Sequence, residues 1–372
     1  MAGYDWSGVI DKSGYYGFGY YIIFAPLFML HLSPIMIYRI ILVFTRCLRE
    51  CVIFSVSYYI GKYYLGFSSK ATLLQVAIIC TIPLHPNNDT NIINDVVLDI
   101  MLWIIIILVC KMAEHIECLY KYMLYFFAYI AAVFYASLLH TRALAMIIAS
   151  FISVLGILIY KRKKRLFWSI IVIPIILLAR KFIELYQNGI WRLSGGKLIN
   201  ASVRLGVEWN MIDAKAWNIW FDMLIGHISV QSLLTGGLFL AAAVAVVKYI
   251  FDTIKETKKA NIYLNIIITI SGLAAGATFA AFLISSWFSE MYSTWNTNEM
   301  GKVYCYKALC YVRYWNVFSM PLILAGIYLL EKKEYRSCVR NAIYSWIIMT
   351  FLFIHLVVPI IKGNKASAGF LF

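Results

Sequence analysis

Three places in this sequence combine side chains that could move a proton or hold an anion on one side of a membrane. Asp5, inside GYDWSG, and Asp11 are the only carboxylates before Glu50. At a membrane surface a carboxylate can act as general base on an acceptor hydroxyl, or help hold a divalent ion. An Asp followed by Trp-Ser-Gly equally suits a turn or a helix cap. His140 and Arg142 bracket Thr141 between two apolar runs. There Arg can take a phosphate bidentately and His can donate to the same oxygen, although a snorkelling Arg at a tight hairpin would look the same. The third place is Arg313-Tyr314-Trp315-Asn316, which offers a second cation far away in sequence. Two such cations are what an anionic lipid headgroup needs, and capture of a leaving phosphate is the main lever when a sugar leaves a lipid phosphate. Trp6 and Tyr314, beside these charges, complete the candidate substrate-binding set.

The elements that must position these residues are membrane spans. The chain is 62% hydrophobic and only 14% charged, with a mean hydropathy of +0.78. A soluble fold of this length needs far more polar surface, so the chain reads as an all-α, polytopic transmembrane helix bundle. Its net charge of +15 does not point to nucleic acid, because the cations fall between apolar runs, where they anchor cytoplasmic links. No metal-ligand spacing, phosphate loop or nucleophile elbow is present. Cys47, Cys51, Cys80 and Cys110 lie in or beside apolar runs and read as small core residues. Cys305 and Cys310 share a link in which they either pair or stay free.

Orientation comes from the hairpin over 119–165. Two apolar runs flank His140–Arg142, and the second ends in KRKKR, Lys161 to Arg165. Five consecutive cations stay on the cytoplasmic side, so His140 and Arg142 face the other side. About ten spans are predicted, at 34–60, 71–85, 94–110, 118–139, 143–160, 166–182, 228–250, 262–287, 315–330 and 341–360. Alternating them from the hairpin makes every cytoplasmic link short and basic. Residues 21–32 form an interfacial or re-entrant helix containing Pro26, within an extracytoplasmic or interfacial segment over 1–33. Within the span at 34–60, Glu50 can offset Arg46, and Arg49 snorkels or lines a cavity.

The whole chain, 1–372, reads as a single integral membrane domain of the cell membrane. Two longer extracytoplasmic loops, 183–227 and 288–314, are where function is expected. Both are tryptophan-rich, with Trp191, Trp209, Trp217 and Trp220 in the first, and Trp287, Trp295 and Trp315 in or flanking the second. Such rings either anchor at the interface or stack on a sugar or prenyl chain.

GYDWSG, then YYGFGYYIIFAPLF, YASLLHTRALAMIIA and RYWNVFSMPLIL, resemble uncharacterised polytopic membrane proteins of Gram-positive bacteria. These in turn look like the GT-C class of glycosyltransferases. The resemblance implies a multispanning transferase that takes a sugar from a polyprenyl-phosphate carrier to an envelope acceptor at the extracytoplasmic face. It implies membrane lipid and the lipid-linked sugar as partners, and leaves open a divalent ion as cofactor. In that class an acidic residue in the first outer loop serves as base or metal partner, and an acidic pair commonly lies upstream of the stretch matching GYDWSG. Here Met1 stands immediately before that stretch. The expectation is therefore either an N-terminally short, inactive form or a chain in which Asp5 serves. Two other readings stand beside the transferase: a transporter or flippase of a lipid-linked saccharide, and a non-catalytic membrane subunit.

Overall fold

The structure, a computed structural model, describes residues 18–30, 32–72, 94–140, 142–193, 213–255, 260–283 and 317–358. Every regular element among them is helical: α1 Phe18–Phe28, α2 Pro34–Tyr59, α3 Asn94–Glu114, α4 Leu119–Leu139, α5 Ala143–Tyr160, α6 Val172–Leu193, α7 Ala214–Leu234, α8 Leu238–Lys255, α9 Ile262–Leu283, α10 Ser319–Glu331 and α11 Ser337–Leu352, with short 3-10 or π turns between some of them. This is what apolar runs require in hydrocarbon, where each backbone N–H and C=O must find its partner inside the segment. Where the chain turns, polar side chains take over. Ser33 Oγ accepts from Met36 N at 3.3 Å ahead of Pro34, and Asp213 Oδ1 accepts from Ala216 N at 2.8 Å.

Among the described residues five helices are long and apolar enough to cross a membrane: Val96–Glu114, Leu119–Leu139, Ala143–Tyr160, Ile262–Ala281 and Ser337–Val357. α7 and α8 make a sixth if taken as one broken span. α2 is also long, at 26 residues, but carries Arg39, Arg46, Arg49 and Glu50. The expected span at 71–85 and the loop at 288–314 fall largely or wholly outside the described residues.

The chain divides into two compact units, residues 1–60 with 88–203, and 61–87 with 204–372. In the first, α3 is the hub. It packs on α2, α4 and α5, and 78% of its span lies buried, against 44% for α4. Arg49 reaches Asp99, and ten residues further along α2 Tyr59 meets Lys111 of α3. The order is kept, so α2 and α3 run parallel. α5 ends on Arg162, held at φ 54, with the N–H of Lys163 reaching the Leu158 carbonyl at 2.9 Å. Lys163 also pairs with Glu117 in the turn between α3 and α4, which fixes both features at one end of the unit.

In the second unit α8 runs antiparallel to α9 and parallel to α10. The Tyr249 hydroxyl donates to Asn265 Oδ1 at 2.9 Å and accepts from Asn261 N at 3.0 Å. Ala242 lies opposite Gly326, and further along Lys248 Nζ donates to the Glu334 carbonyl at 2.7 Å. Small residues let these two backbones approach, which drives helix association where no hydrophobic effect is available. Residues 61–72 join this unit through Tyr64 stacked on Tyr263 and Phe67 edge-on to Tyr328.

One expected span needs correcting. The apolar run 228–250 is not straight: α7 and α8 meet at 113°. Thr235-Gly236-Gly237 is the reason. Both glycines hold positive φ, 57° and 81°, which a side chain would oppose, and the Gly237 N–H closes on the Ser232 carbonyl at 2.7 Å. Thr235 Oγ1 then accepts from Phe239 N and starts α8. Correspondingly, the described parts of the expected loop 183–227 are helical, in α6 and α7. Cys47 and Cys51 are exposed on α2, and of the described members of that set only Cys110 is a core residue.

A Cβ on Gly326 would overlap Ala242, whereas one on Gly276 meets nothing within 4 Å. Gly326→Ala is therefore expected to destabilise the fold by about 1–3 kcal/mol. Gly276→Ala should unfold with the wild type in thermal melts of the detergent-solubilised protein. Equal melting of the two variants would contradict the close α8–α10 crossing.

Candidate functional site

α4 ends at Leu139, and His140 is fully extended (φ −157°, ψ 152°). Arg142 is already helical at φ −62° and stands at the N-cap of α5 without a side-chain cap. The Arg142 N–H donates to His140 Nδ1 at 3.0 Å. An acceptor Nδ1 leaves the proton of the neutral ring on Nε2, which makes that nitrogen a donor. Both side chains are half-buried. The N–H groups of Ala143 and Ala145 are taken by the His140 and Arg142 carbonyls at 3.0 and 3.1 Å, so what the link offers an anion is the imidazole donor and the guanidinium at the positive end of α5. The hairpin is locked by the Tyr129 and Ser150 hydroxyls, 2.9 Å apart and buried between α4 and α5. The 18 residues of α5 put about 27 Å between this end and the cluster beginning at Lys161.

The structure brings His140 and Arg142 together. Asp5, Trp6, Arg313 and Tyr314, with Asp11, Trp315 and Asn316, lie outside the described residues, as do Cys80, Cys305, Cys310, Trp209, Trp287 and Trp295. Trp217 and Trp220 sit on the first turns of α7, edge to face at 5.0 Å. Trp217, Phe221 and Leu224 form an exposed apolar stripe along that helix, which suits anchoring in lipid. Among the described residues no group of three His, Cys, Asp or Glu side chains comes together to hold a metal ion.

A second polar centre joins Arg49 and Glu50, which the sequence brought out, to Asp99, which it did not. Asp99 of α3 is 1% exposed, and Arg49 Nε of α2 donates to its Oδ2 at 2.8 Å. Arg49 Nη1 reaches Glu50 Oε1 at 2.6 Å. Arg49 thus bridges two carboxylates and neither snorkels nor stands alone. Asp99 lies five residues from the start of α3, about 8 Å along the axis and towards the His140 end of the unit. The signal was available: one acid in the apolar run VVLDIMLW. An ionisable residue inside a span marks a functional site by default. In the second unit His227 of α7 is fully buried, edge-on to Phe279, where the sequence suggested the end of a loop. Gln231 Nε2 donates to Ser319 Oγ at 3.0 Å and Ser229 Oγ to the Met349 carbonyl at 3.2 Å, tying α7 to its neighbours.

No family model, curated protein or solved structure matches this chain. Its own residues and their geometry are therefore the only pointers to its function.

Asp99→Ala is expected to cost about 3 kcal/mol, because it takes one of the two carboxylates from a largely buried guanidinium and leaves Nε facing an apolar gap. The pair replacement Arg49→Met with Asp99→Leu should recover most of that loss, since an apolar pair of similar size has no charge to desolvate. Chemical unfolding of the three proteins in mixed micelles measures both. A double variant no more stable than Asp99→Ala would show that the pair does not act as a unit.

Proposed function

We propose that this protein is a membrane glycosyltransferase of about ten spans that moves a sugar from a polyprenyl-phosphate carrier to an envelope acceptor. The observation that carries the reading is the meeting of His140 and Arg142 at the N-terminus of α5, at the end opposite the basic residues from Lys161 onward. By the positive-inside rule that end is extracytoplasmic. In the reaction, a carboxylate takes the proton of the acceptor hydroxyl, with Asp5 as the candidate. The acceptor oxygen bonds to the anomeric carbon as the bond from that carbon to the phosphate oxygen breaks. The leaving polyprenyl phosphate takes the electron pair. Arg142 and His140, joined by Arg313, stabilise its developing charge, and Trp6 and Tyr314 stack on sugar or prenyl chain.

Arg142→Ala and Arg313→Ala are each expected to abolish sugar transfer. The assay reconstitutes the protein in proteoliposomes with labelled polyprenyl-phosphate sugar and scores new glycosidic bonds. Normal turnover in both variants would remove the phosphate site.

A second reading, a transporter or flippase of a lipid-linked saccharide, is favoured by the buried Arg49–Asp99 pair, with Glu50 on its more exposed side, since transporters keep ionisable residues within their spans. Movement of the labelled lipid across the bilayer with no new glycosidic bond, lost in the Arg49→Met, Asp99→Leu protein, would decide for it.

A further inference from the structure

Between α8 and α9, with Leu322 of α10 at its back, lies a half-open cavity of about 600 Å³ whose mainly apolar walls are broken by Tyr249, Thr253, Asn265 and Thr269. It follows α8 from Phe239 to Ile254, about 22 Å along the axis, which exceeds the roughly 15 Å that one leaflet contributes to the hydrocarbon core. Ala243 and Gly272 keep its floor open, and Val247 and Ile268 line it. Polarity is concentrated towards the end of α8. Thr253 lines the cavity there, and its Oγ1 is buried with no hydrogen-bond partner among the described residues. A helical threonine ordinarily donates to a carbonyl one turn back, as Thr45 does to Ile41 at 2.7 Å. Beyond Thr253, Lys255 ends the helix exposed, and Lys258 and Lys259 follow in sequence. The neighbouring Asp252 faces the Tyr335 hydroxyl.

We propose that this groove seats one acyl chain of an anionic glycerophospholipid from the leaflet on the basic side, with its ester carbonyl accepting from Thr253 and its phosphate at Lys255. The order along α8 matches the order along such a lipid: cation for the phosphate, an unsatisfied hydroxyl for the ester half a turn deeper, then, past the Tyr249–Asn265 pair whose polar atoms satisfy each other, a mainly hydrocarbon wall. A basic end attracts anionic lipid, and a buried hydroxyl without an acceptor is satisfied by the ester oxygen. The site is independent of the His140–Arg142 centre, so it stands or falls separately from the transferase reading.

The test uses delipidated full-length protein in detergent, with dioleoyl phosphatidylglycerol or dioleoyl phosphatidylcholine added and bound lipid read by native mass spectrometry. The expected result is one retained phosphatidylglycerol per chain, preferred over phosphatidylcholine by about fivefold or more. Ala243→Phe, which fills the groove, should remove retention. Thr253→Val, isosteric and too mild to unfold the bundle, should weaken it about fivefold. Lys255→Glu should bring the two lipids level. Undiminished retention in Ala243→Phe protein that elutes as a folded species would overturn the proposal. So would equal binding of both lipids to the wild type, or a Thr253→Val protein that binds phosphatidylglycerol like the wild type.

Discussion

A charge that has left water must be held by its partner wherever it goes, and in the first unit this constraint sets the arrangement. Arg49 and Asp99 lie on helices fifty residues apart in sequence, and neither is stable in an apolar interior without the other. Their pairing selects the register in which α2 lies against α3, and the Tyr59–Lys111 contact further along keeps the same order. Parallel neighbours follow. α3 then becomes the most enclosed helix, so α4 and α5 can close around it and present their shared hairpin at one end. The His140–Arg142 centre is a by-product of that closure, because it occupies the link between the two helices.

What could be read from the sequence depends on what periodicity and charge encode. The hairpin over 119–160 was legible to within a residue or two at its ends, because each run is long enough to cross and stops at a polar break. The short helix with Pro26 and the long helix from Pro34 were legible by length as well, the first because its apolar run is too short to cross and the second because it is long enough. The bend at Thr235–Gly237 was not. Two glycines in an apolar run barely lower its hydropathy, while their positive φ angles turn the backbone through a right angle and more. Hydropathy counts side chains and is blind to a backbone that only glycine can adopt.

The candidate site was legible in part. His140 and Arg142 are neighbours in sequence, and the turn that joins them had to exist once the two runs were spans. Asp99 was hidden because its partner lies on another helix. Seen alone it is one acid in a run of isoleucine, leucine and valine, and only the packing of α2 on α3 supplies the guanidinium that explains it. His227 was misplaced with the loop boundary, since the run that follows it looked like the start of the span. Both residues needed tertiary partners before they had a meaning.

The parallel pairing of α2 with α3 has a consequence for how the chain is made. A helix carrying three arginines and one glutamate enters lipid poorly by itself, and the acid that completes its charge pairing is synthesised fifty residues later. At about 5–20 residues per second the interval is roughly 3–10 s, long on the scale of helix formation. The Arg49–Asp99 pair can therefore form only once α2 is complete, so α2 is always made before the acid that neutralises it.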